Sequence, residues 1–467
     1  MKNSTHAKVF ARAITLSRAV APRAAALALA AALSVASAAA QQASGNMGPA
    51  FMSGTPGTYA IRGAHIFPVS APDIENGTIV IANGKIAAIG ANVSVPSGAR
   101  VIEGRGLSVY PGMIDLGTSM GLIEITEQGA TGWVDTQEVG DLNPNSRAFY
   151  GINPHSSHIA VTRVNGVTTV LSSPQGGLIS GQSALINLLG ATAPEMAVDR
   201  AAALVVNYPR SGGFGGFGGF FAAQQPAAAD AATQRERQVE QIRKILRDAE
   251  AYGRALDASG ADARLPRPDR DAVLESLVPF VRGQKPVIFR ADRDADIRAA
   301  VRFAEEMKLK PIILGGDEAV KAAAFLKDHK VPVVVTGTLD LPSREDDPYD
   351  AKYEMAAKLQ QAGVQFAIST GDIAAVVRDL PYTAGMAASF GLPKDEALKS
   401  VTLYPAQIIG AAGQLGSLDV GKIANVVVTD GDLLEARTNI RHLFINGRDV
   451  PLVSKHTELY NQFKDRK

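Results

Sequence analysis

Histidine and carboxylate side chains are the groups of this sequence that could bind a metal ion or move a proton. His155 and His158 are three positions apart, a spacing that places both imidazoles on one face of a helix and within reach of one ion. Both precede a predicted strand rather than follow it, which favours a helix-surface or capping role. The other histidines after residue 40 lie in the terminal segments or ahead of a strand: His65, His329, His442 and His456.

Three aspartates form the second set of reactive groups. Asp115, Asp317 and Asp372 carry hard oxygen ligands that Mg²⁺ or Mn²⁺ accepts better than Zn²⁺ does. Asp372 follows the apolar run that ends at Ile368, where it could serve as a general base or as the N-cap of a helix that begins near Ile373. The sequence leaves both roles of Asp372 open.

The elements that must position these groups follow a repeating pattern. From Pro111 onward, short apolar runs alternate with helical stretches, which is typical of buried parallel strands with crossover helices. The runs cover residues 109–115, 167–171, 184–188, 202–206, 286–289, 311–314, 331–335 and 364–368. This is the number of strands that closes a (β/α)8 TIM barrel, and the count argues against a doubly wound open sheet. The sequence therefore predicts an α/β fold with the barrel over residues 111–411.

Strand-like segments also occur at both ends of the chain. Residues 59–110 alternate short apolar runs with turn signals, among which Asn76-Gly77 and Asn83-Gly84 are typical of type I′ hairpin turns. Residues 412–467 contain further runs of this kind. Two such segments flanking one barrel predict a single composite β-sandwich domain in which the two chain ends meet.

An irregular insertion, residues 209–280, separates the fourth and fifth predicted barrel strands. Residues 211–221 form a Gly-Gly-Phe repeat, which favours a flexible loop, with a lid over the site as the alternative. Residues 230–256 are charged and alanine-rich with helical spacing.

The first forty residues predict export. Five basic residues and no acidic one precede or flank an apolar run from Ala24 to Val35, and Ala38-Ala39-Ala40 follows, as in a cleavable signal peptide over residues 1–40. The run is about half of the roughly 20 residues that a membrane-spanning helix needs. Residues 41–58 are predicted to be a disordered lead-in. Because the chain has no cysteine, disulfides and a lipid-modified cysteine are excluded, and we expect a periplasmic protein without a membrane span after cleavage.

The charge distribution argues against one class of partner. The chain has 47 basic and 46 acidic residues, and cleavage would remove five of the basic ones. The remaining chain is mildly acidic and has no basic cluster, so we expect no nucleic-acid partner.

Several motifs flank the predicted barrel. Asn83-Gly84-Lys85-Ile86 and Pro111-Gly112-Met113-Ile114-Asp115 precede it, and Gly416-Ser417-Leu418, Gly421-Lys422 and Ala424-Asn425-Val426 follow it. Together they resemble the motifs of amidohydrolases related to imidazolonepropionase. The resemblance implies a hydrolase of C–N bonds other than peptide bonds, often in cyclic amides and imines. It also implies one or two divalent metal ions at the barrel mouth, which would activate a water molecule.

The same resemblance assigns metal-ligand positions, and this sequence departs from them. The residues at the histidine positions of the family are Gly117, Ser119, Arg290 and Gly315. Glycine has no side chain, a serine hydroxyl is a poor Zn²⁺ ligand, and a guanidinium group does not bind a cation. No Zn²⁺, Mn²⁺ or other cofactor is therefore expected. By the same resemblance, Asp372 corresponds to the catalytic aspartate, and Asn207 lies near the position of a carboxylated lysine in some subfamilies.

Three functions remain open. One is metal-free hydrolysis of a non-peptide C–N bond, with Asp372 as the base, Arg290 stabilising an oxyanion, and Ser119 and Asn207 binding the substrate. A second is a catalytically inactive paralogue, a pseudoenzyme, that binds a small molecule or pairs with a homologous subunit that keeps its histidines. A third is a periplasmic solute-binding or scaffold protein that uses the Gly-Phe insertion.

Overall fold

The structure is a computed structural model that describes residues 53–124, 135–211, 228–343 and 346–466. The first strands are β1 (Tyr59–Ile66), β2 (Ile74–Ala82), β3 (Lys85–Gly90), β4 (Arg100–Glu103) and β5 (Ser108–Pro111). β1, β2 and β3 pair antiparallel in that order, while β4 and β5 each pair parallel with part of β1. The sheet therefore branches at β1.

The two predicted hairpin turns have different outcomes. Asn83 and Gly84 connect β2 and β3 with positive φ angles of 53° and 79°, which is the conformation that a type I′ turn requires. Asn76-Gly77 was predicted to be a turn as well, and this prediction is wrong. Both residues lie inside β2, where Gly77 pairs with Ala64 beside a register shift, so the positive φ of Asn76 serves a bulge.

Eight strands form the barrel sheet, and each overlaps a strand that the sequence predicts. They are β6 (Met113–Thr118), β7 (Val167–Ser172), β8 (Ile179–Asn187), β9 (Ala197–Asn207), β10 (Pro286–Ala291), β11 (Lys310–Gly315), β12 (Val333–Val335) and β13 (Phe366–Ile368). They are hydrogen-bonded in sequence order from β6 to β13. The predicted α/β barrel is confirmed.

Alternation along these strands separates two apolar cores. Alternate residues on each of the eight strands face inward and form a cluster inside the barrel. Its members include Ile114, Leu171, Leu185, Ala203, Ile288, Leu314, Val334 and Ala367. The residues between them, including Phe289, Ile313 and Phe366, face outward and pack against the helices. Both faces of each strand are therefore buried, which explains why the strands read as continuous apolar runs.

The third barrel strand runs in the direction opposite to the one that the sequence predicts. β8 is antiparallel to both β7 and β9, whereas all the other neighbouring pairs of the barrel are parallel. The connection from Ser172 to Ile179 is too short for a crossover, which takes about a dozen residues or more. The amino end of β8 therefore lies at the barrel mouth, beside the carboxyl ends of the other barrel strands.

Helices cover the barrel and fill the insertion. The helices are α1 (Ala148–Gly151), α2 (Ser157–Arg163), α3 (Ala193–Met196), α4 (Ala228–Ala261), α5 (Ala272–Val281), α6 (Asp294–Glu306), α7 (Ala323–Asp328), α8 (Met355–Ala362), α9 (Leu380–Ser389), α10 (Lys394–Ser400), α11 (Leu403–Ile408) and α12 (Lys455–Phe463). A 3₁₀ helix, Ala374–Asp379, precedes α9. Within the described ranges, every helix is too short or too polar to cross a bilayer.

The long helix α4 confirms the helical spacing of residues 230–256. Ile242, Leu246 and Ala249 are fully buried, and their spacing of four and three residues places them on one face of the helix. The Gly-Phe repeat and its proposed lid role lie outside the described residues, apart from Ser211. The proposed signal peptide lies outside them as well.

Strands from the two ends of the chain share one sheet. The last strands are β14 (Val426–Thr429), β15 (Ile440–Ile445) and β16 (Arg448–Asp449), and β14 pairs antiparallel with β5. Residues 53–58, assigned to the disordered lead-in, are instead anchored to this sheet, because Thr55 exchanges backbone hydrogen bonds of 2.8 and 3.0 Å with Asp449. The eight strands β1–β5 and β14–β16 belong to one hydrogen-bonded sheet. The two sheets of the predicted sandwich are therefore continuous through β1.

A buried amide network joins this sheet to the barrel. Nδ2 of Asn425 donates to Thr169 Oγ1 at 3.1 Å and to Asn187 Oδ1 at 2.9 Å. Nδ2 of Asn187 donates to Asn446 Oδ1 at 2.6 Å, and the backbone N–H of Asn446 donates to Asn425 Oδ1 at 2.9 Å. Asn187 and Asn425 are 2% and 5% exposed, so each lost partner would leave a buried polar atom without a hydrogen bond.

Asn425→Ala should lower the free energy of unfolding by about 1–3 kcal/mol, because it removes three hydrogen bonds from this buried network. Urea unfolding of the protein would measure the change. Asn461→Ala, on the exposed face of α12, is the matched control and should have little effect. Equal stability of the two variants would contradict a structural role for the network.

Candidate functional site

The inward positions of the barrel change from apolar to polar at its mouth. Alternate residues of a strand face the same side, so Arg290 faces inward like Ile288, two residues before it, and Ser369 faces inward like Ala367. On β8, which is reversed, the same rule brings Ser183 to the mouth, and its Oγ lies 2.8 Å from Ser173 Oγ. A layer of hydroxyl groups and one guanidinium group thus covers the apolar interior.

Arg290, Asp372 and Ser119 are brought together at this layer. Arg290 Nη1 donates to Asp372 Oδ2 at 2.6 Å, and Ser119 Oγ donates to the Asp372 carbonyl oxygen, also at 2.6 Å. The following 3₁₀ helix is preceded by Ile373 and has no side-chain cap. The Asp372 carboxylate therefore pairs with Arg290 and does not cap the helix.

The rest of the Arg290 guanidinium group lies in an unusual environment. Its side chain is 20% exposed, but Nε and Nη2 are shielded from solvent and have no hydrogen-bond partner in the described part of the chain. These two atoms form the side edge of the guanidinium plane, which is a geometry that fits a carboxylate bidentately. Buried donors without a partner cost free energy, so this edge is suited to receive an acceptor.

Asp115 connects the first and last strands of the barrel. It is fully buried on β6 and accepts hydrogen bonds from Ser369 Oγ at 2.5 Å, Thr370 N at 3.0 Å and Thr370 Oγ1 at 2.7 Å, just after β13. The Gly117 amide donates to it at 3.0 Å. Burial raises the pKa of Asp115 above its ordinary value, although these four hydrogen bonds act in the opposite direction.

Two glycines at the mouth lie against polar side chains. A Cβ atom on Gly117 would lie 2.5 Å from Ser369 Oγ, and a Cβ atom on Gly315 would lie 2.2 Å from Asp292 Oδ1. Gly315 also has a φ of +108°, a region that disfavours other residues. Ser369 and Asp292 therefore occupy the space that side chains at these positions would need.

Asp292 and Lys352 complete the charges of the mouth, and neither was predicted from the sequence. Burial raises the pKa of Asp292, and the charge of Asp317 raises it further. Arg210 Nη2 lies 3.7 Å from Asp292 Oδ2, and Lys352, almost buried, pairs with Asp317. The position of Asp292 two residues after Arg290, on the same side of the chain, was an available signal. Lys352 lies in the long connection after β12, where no sequence pattern indicates a site residue.

The other predicted residues have structural partners. Asn207 lies beside Arg290 in the β9–β10 register, but its Nδ2 donates to the carbonyl oxygens of Gly176 and Gly177 at 3.0 and 2.7 Å. His158 Nε2 is 3.0 Å from the carbonyl oxygen of Glu124, and His155 is exposed. The two hydrogen bonds of Asn207 favour a role in holding the loop between β7 and β8.

The donor groups at the mouth do not fit a divalent metal ion. The candidate carboxylates are separated among different partners: Asp115 binds Ser369 and Thr370, Asp317 binds Lys352, and Asp372 binds Arg290. No group of three or more histidine, aspartate or glutamate side chains in the described ranges could hold an ion together. A fixed guanidinium charge at the centre would also repel a cation.

Comparisons with known proteins agree with the motifs described above. Residues 299–450 match the model of the amidohydrolase family. The chain is 35% identical over 83 residues to the imidazolonepropionase of Syntrophobacter fumaroxidans, a match that covers 17% of this chain and 20% of the relative. The match thus spans only a fifth of the length of that relative.

Solved structures resemble the fold over most of its length. An amidohydrolase from Thermotoga maritima MSB8 has a TM-score of 0.72 at 24% identity, covering 84% of this chain and 99% of that one. A molinate hydrolase has a TM-score of 0.50 at 17% identity, covering 85% and 95%. At these identities the likeness supports the fold and nothing finer.

Asp115→Asn should destabilise the protein by about 2 kcal/mol or more, since the amide would turn an N–H₂ donor toward groups that themselves donate. Thermal and urea unfolding would measure the loss. Asp269→Asn, an exposed aspartate, is the matched control. If both variants unfold like the parent protein, Asp115 does not hold the barrel ends together.

Proposed function

The chain belongs to the amidohydrolase superfamily, and on this premise we propose that the mouth of its barrel binds a small molecule through Arg290 without a catalytic metal ion. The observation that carries the proposal is the Arg290 guanidinium group, held by Asp372 with two further donors unused. The protein would thus retain the family fold and use a fixed positive charge at the mouth.

The packing around the mouth supports the proposal. Ser369 and Asp292 fill the space next to Gly117 and Gly315, so metal-binding side chains at those positions would displace them. Displacing Ser369 would also remove a hydrogen bond from the buried Asp115. The mouth is therefore arranged around its own polar contacts, and restoring a single histidine would not rebuild a metal site.

The apolar interior supports binding at the mouth rather than deeper in the barrel. Ile288 and Ile312 pair with each other two residues before Arg290 and its partner Leu314, and they are 1% and 2% exposed. A ligand would stop at the polar layer, where Arg290 fixes one end and the Asp372 side chain, 44% exposed, borders the route to solvent.

The protein beginning at Gln41 should retain far less than one metal ion per chain after incubation with excess Zn²⁺ and Mn²⁺ and desalting, because its donor groups are separated. Elemental analysis would measure this. About one tightly held ion per chain that is lost in Asp372→Ala would contradict the proposal. His158→Ala is the control, because loss in that variant alone would locate the ion on the surface.

A second candidate is metal-free hydrolysis of a non-peptide C–N bond, which the pairing of Asp372 and Arg290 favours. The Asp372 carboxylate would take a proton from water while the oxygen attacks the substrate carbonyl carbon. Arg290 would stabilise the oxyanion through its free edge. Collapse of the intermediate would break the C–N bond, and Asp372 would return the proton to the leaving nitrogen.

Under this second candidate, cyclic amides and imines should be hydrolysed in the presence of a chelator, and Asp372→Asn should lower kcat by about 10²-fold or more. Asp269→Asn should retain full activity. Absence of turnover by the parent protein across such a panel would leave ligand binding as the function. Turnover that disappears with the chelator would instead indicate a metal-dependent enzyme.

A further inference from the structure

The unused edge of Arg290 has the geometry of a specific recognition group. Nη1 is engaged by Asp372, which fixes the rotation of the guanidinium plane, and Nε and Nη2 then point together away from that contact. Two parallel N–H groups in one plane match the two oxygens of one carboxylate. Lysine could supply the same charge but not this pair of donors.

We propose that the ligand of the barrel mouth carries a carboxylate, which binds side-on to Nε and Nη2 of Arg290; this assignment rests on the metal-free site proposed above. The carbon chain of the ligand points outward, since Ile288 and Ile312 block the interior below. The two donors are shielded from solvent, so the carboxylate reaches them when the side chains around the Arg290 edge move aside, and a small terminal group requires the smallest movement.

The charges around the mouth select a monoanion. Asp372, Asp292 and Asp317 each lie beside a cation, Arg290, Arg210 and Lys352 respectively. The three cations balance the three carboxylates, so a bound monoanion leaves one uncompensated negative charge at the mouth, whereas a dianionic phosphate leaves two and is disfavoured. A carboxylate is also planar, like the edge that receives it.

Hydroxyl groups at the same layer are compatible with a carboxylate. Ser173 and Ser183 share one hydrogen bond at 2.8 Å, which uses a single O–H donor of the pair. The other hydroxyl hydrogen of this pair can be donated to an acceptor in the mouth. Ser119 and Ser369, in contrast, already donate to Asp372 and Asp115.

The test is a titration of chelator-treated protein, beginning at Gln41, with acetate, N-acetylglycine, acetamide and inorganic phosphate. Arginine side-chain Nε–H resonances, observed by ¹⁵N NMR, report contact at the guanidinium edge directly. We expect one resonance, absent in Arg290→Lys, to shift on addition of acetate and N-acetylglycine. Acetamide, the neutral isostere of acetate, should leave it unchanged.

Affinity gives a second measurement. Arg290→Lys keeps the charge and loses the paired donors, so calorimetric affinity for N-acetylglycine should fall by about tenfold or more. Asp372→Asn, which removes the charge that holds Arg290, should also weaken binding. Arg302→Lys, on the outer face of α6, is the matched control and should bind normally. If Arg290→Lys does not fold, the Arg290 resonance is identified in the free protein as the one that moves in Asp372→Asn, which removes its charged partner, and its shift in the parent protein then decides.

Two outcomes overturn the inference: no carboxylate shifts the Arg290 resonance, or phosphate or acetamide binds as tightly as acetate. Binding of acetate but not of N-acetylglycine would also overturn it, because the site would then accept only a free small anion. Failure of the proposed function is distinguishable, since it appears as a bound metal ion in the elemental analysis. A metal-free protein that binds no carboxylate contradicts this inference alone.

Discussion

The carboxylate of Asp115 is the group on which the barrel mouth depends. It lies on the first barrel strand and accepts hydrogen bonds from Ser369 and Thr370, which follow the last strand. Burial of a carboxylate is costly, and the four hydrogen bonds offset that cost only while both strand ends are in place. The same contact holds Ser369 against Gly117, so the closure of the sheet and the shape of the mouth depend on one side chain.

The remaining charges at the mouth occur as neighbouring pairs, and the proposed ligand binding follows from this arrangement. A metal ion concentrates positive charge at a point and accepts ligands from several directions. A guanidinium group cannot lose its charge in water, but it donates only in its own plane and along fixed directions. With each of these three carboxylates beside a cation, the net field at the mouth is small, so the proposed recognition would depend on the orientation of Arg290. Asp372, in the chain that follows β13, fixes that orientation, and Ser119, just after β6, holds Asp372 through its carbonyl oxygen.

Local sequence patterns predicted most of the fold because burial on both faces makes each barrel strand a continuous apolar run. The direction of β8 was missed because an apolar run has no direction in the sequence, and only the short connection after Ser172 restricts it. Asn76-Gly77 was misassigned for a related reason. A positive φ at asparagine is compatible with a hairpin turn or with a bulge, and the pairing partner Ala64 decides between them.

The sequence by itself determined the order and place of the strands, the family motifs, and the residue types at the mouth, because each depends on a few neighbouring positions. It also singled out Arg290, Asp372 and Ser119, which the structure brings into contact at the mouth. Only the tertiary structure decided that Arg290 and Asp372, 82 positions apart, form an ion pair, and that Asp292 and Ser369 fill the space beside two glycines. Contacts between strand ends depend on register, tilt and closure of the whole sheet, and no local pattern encodes these.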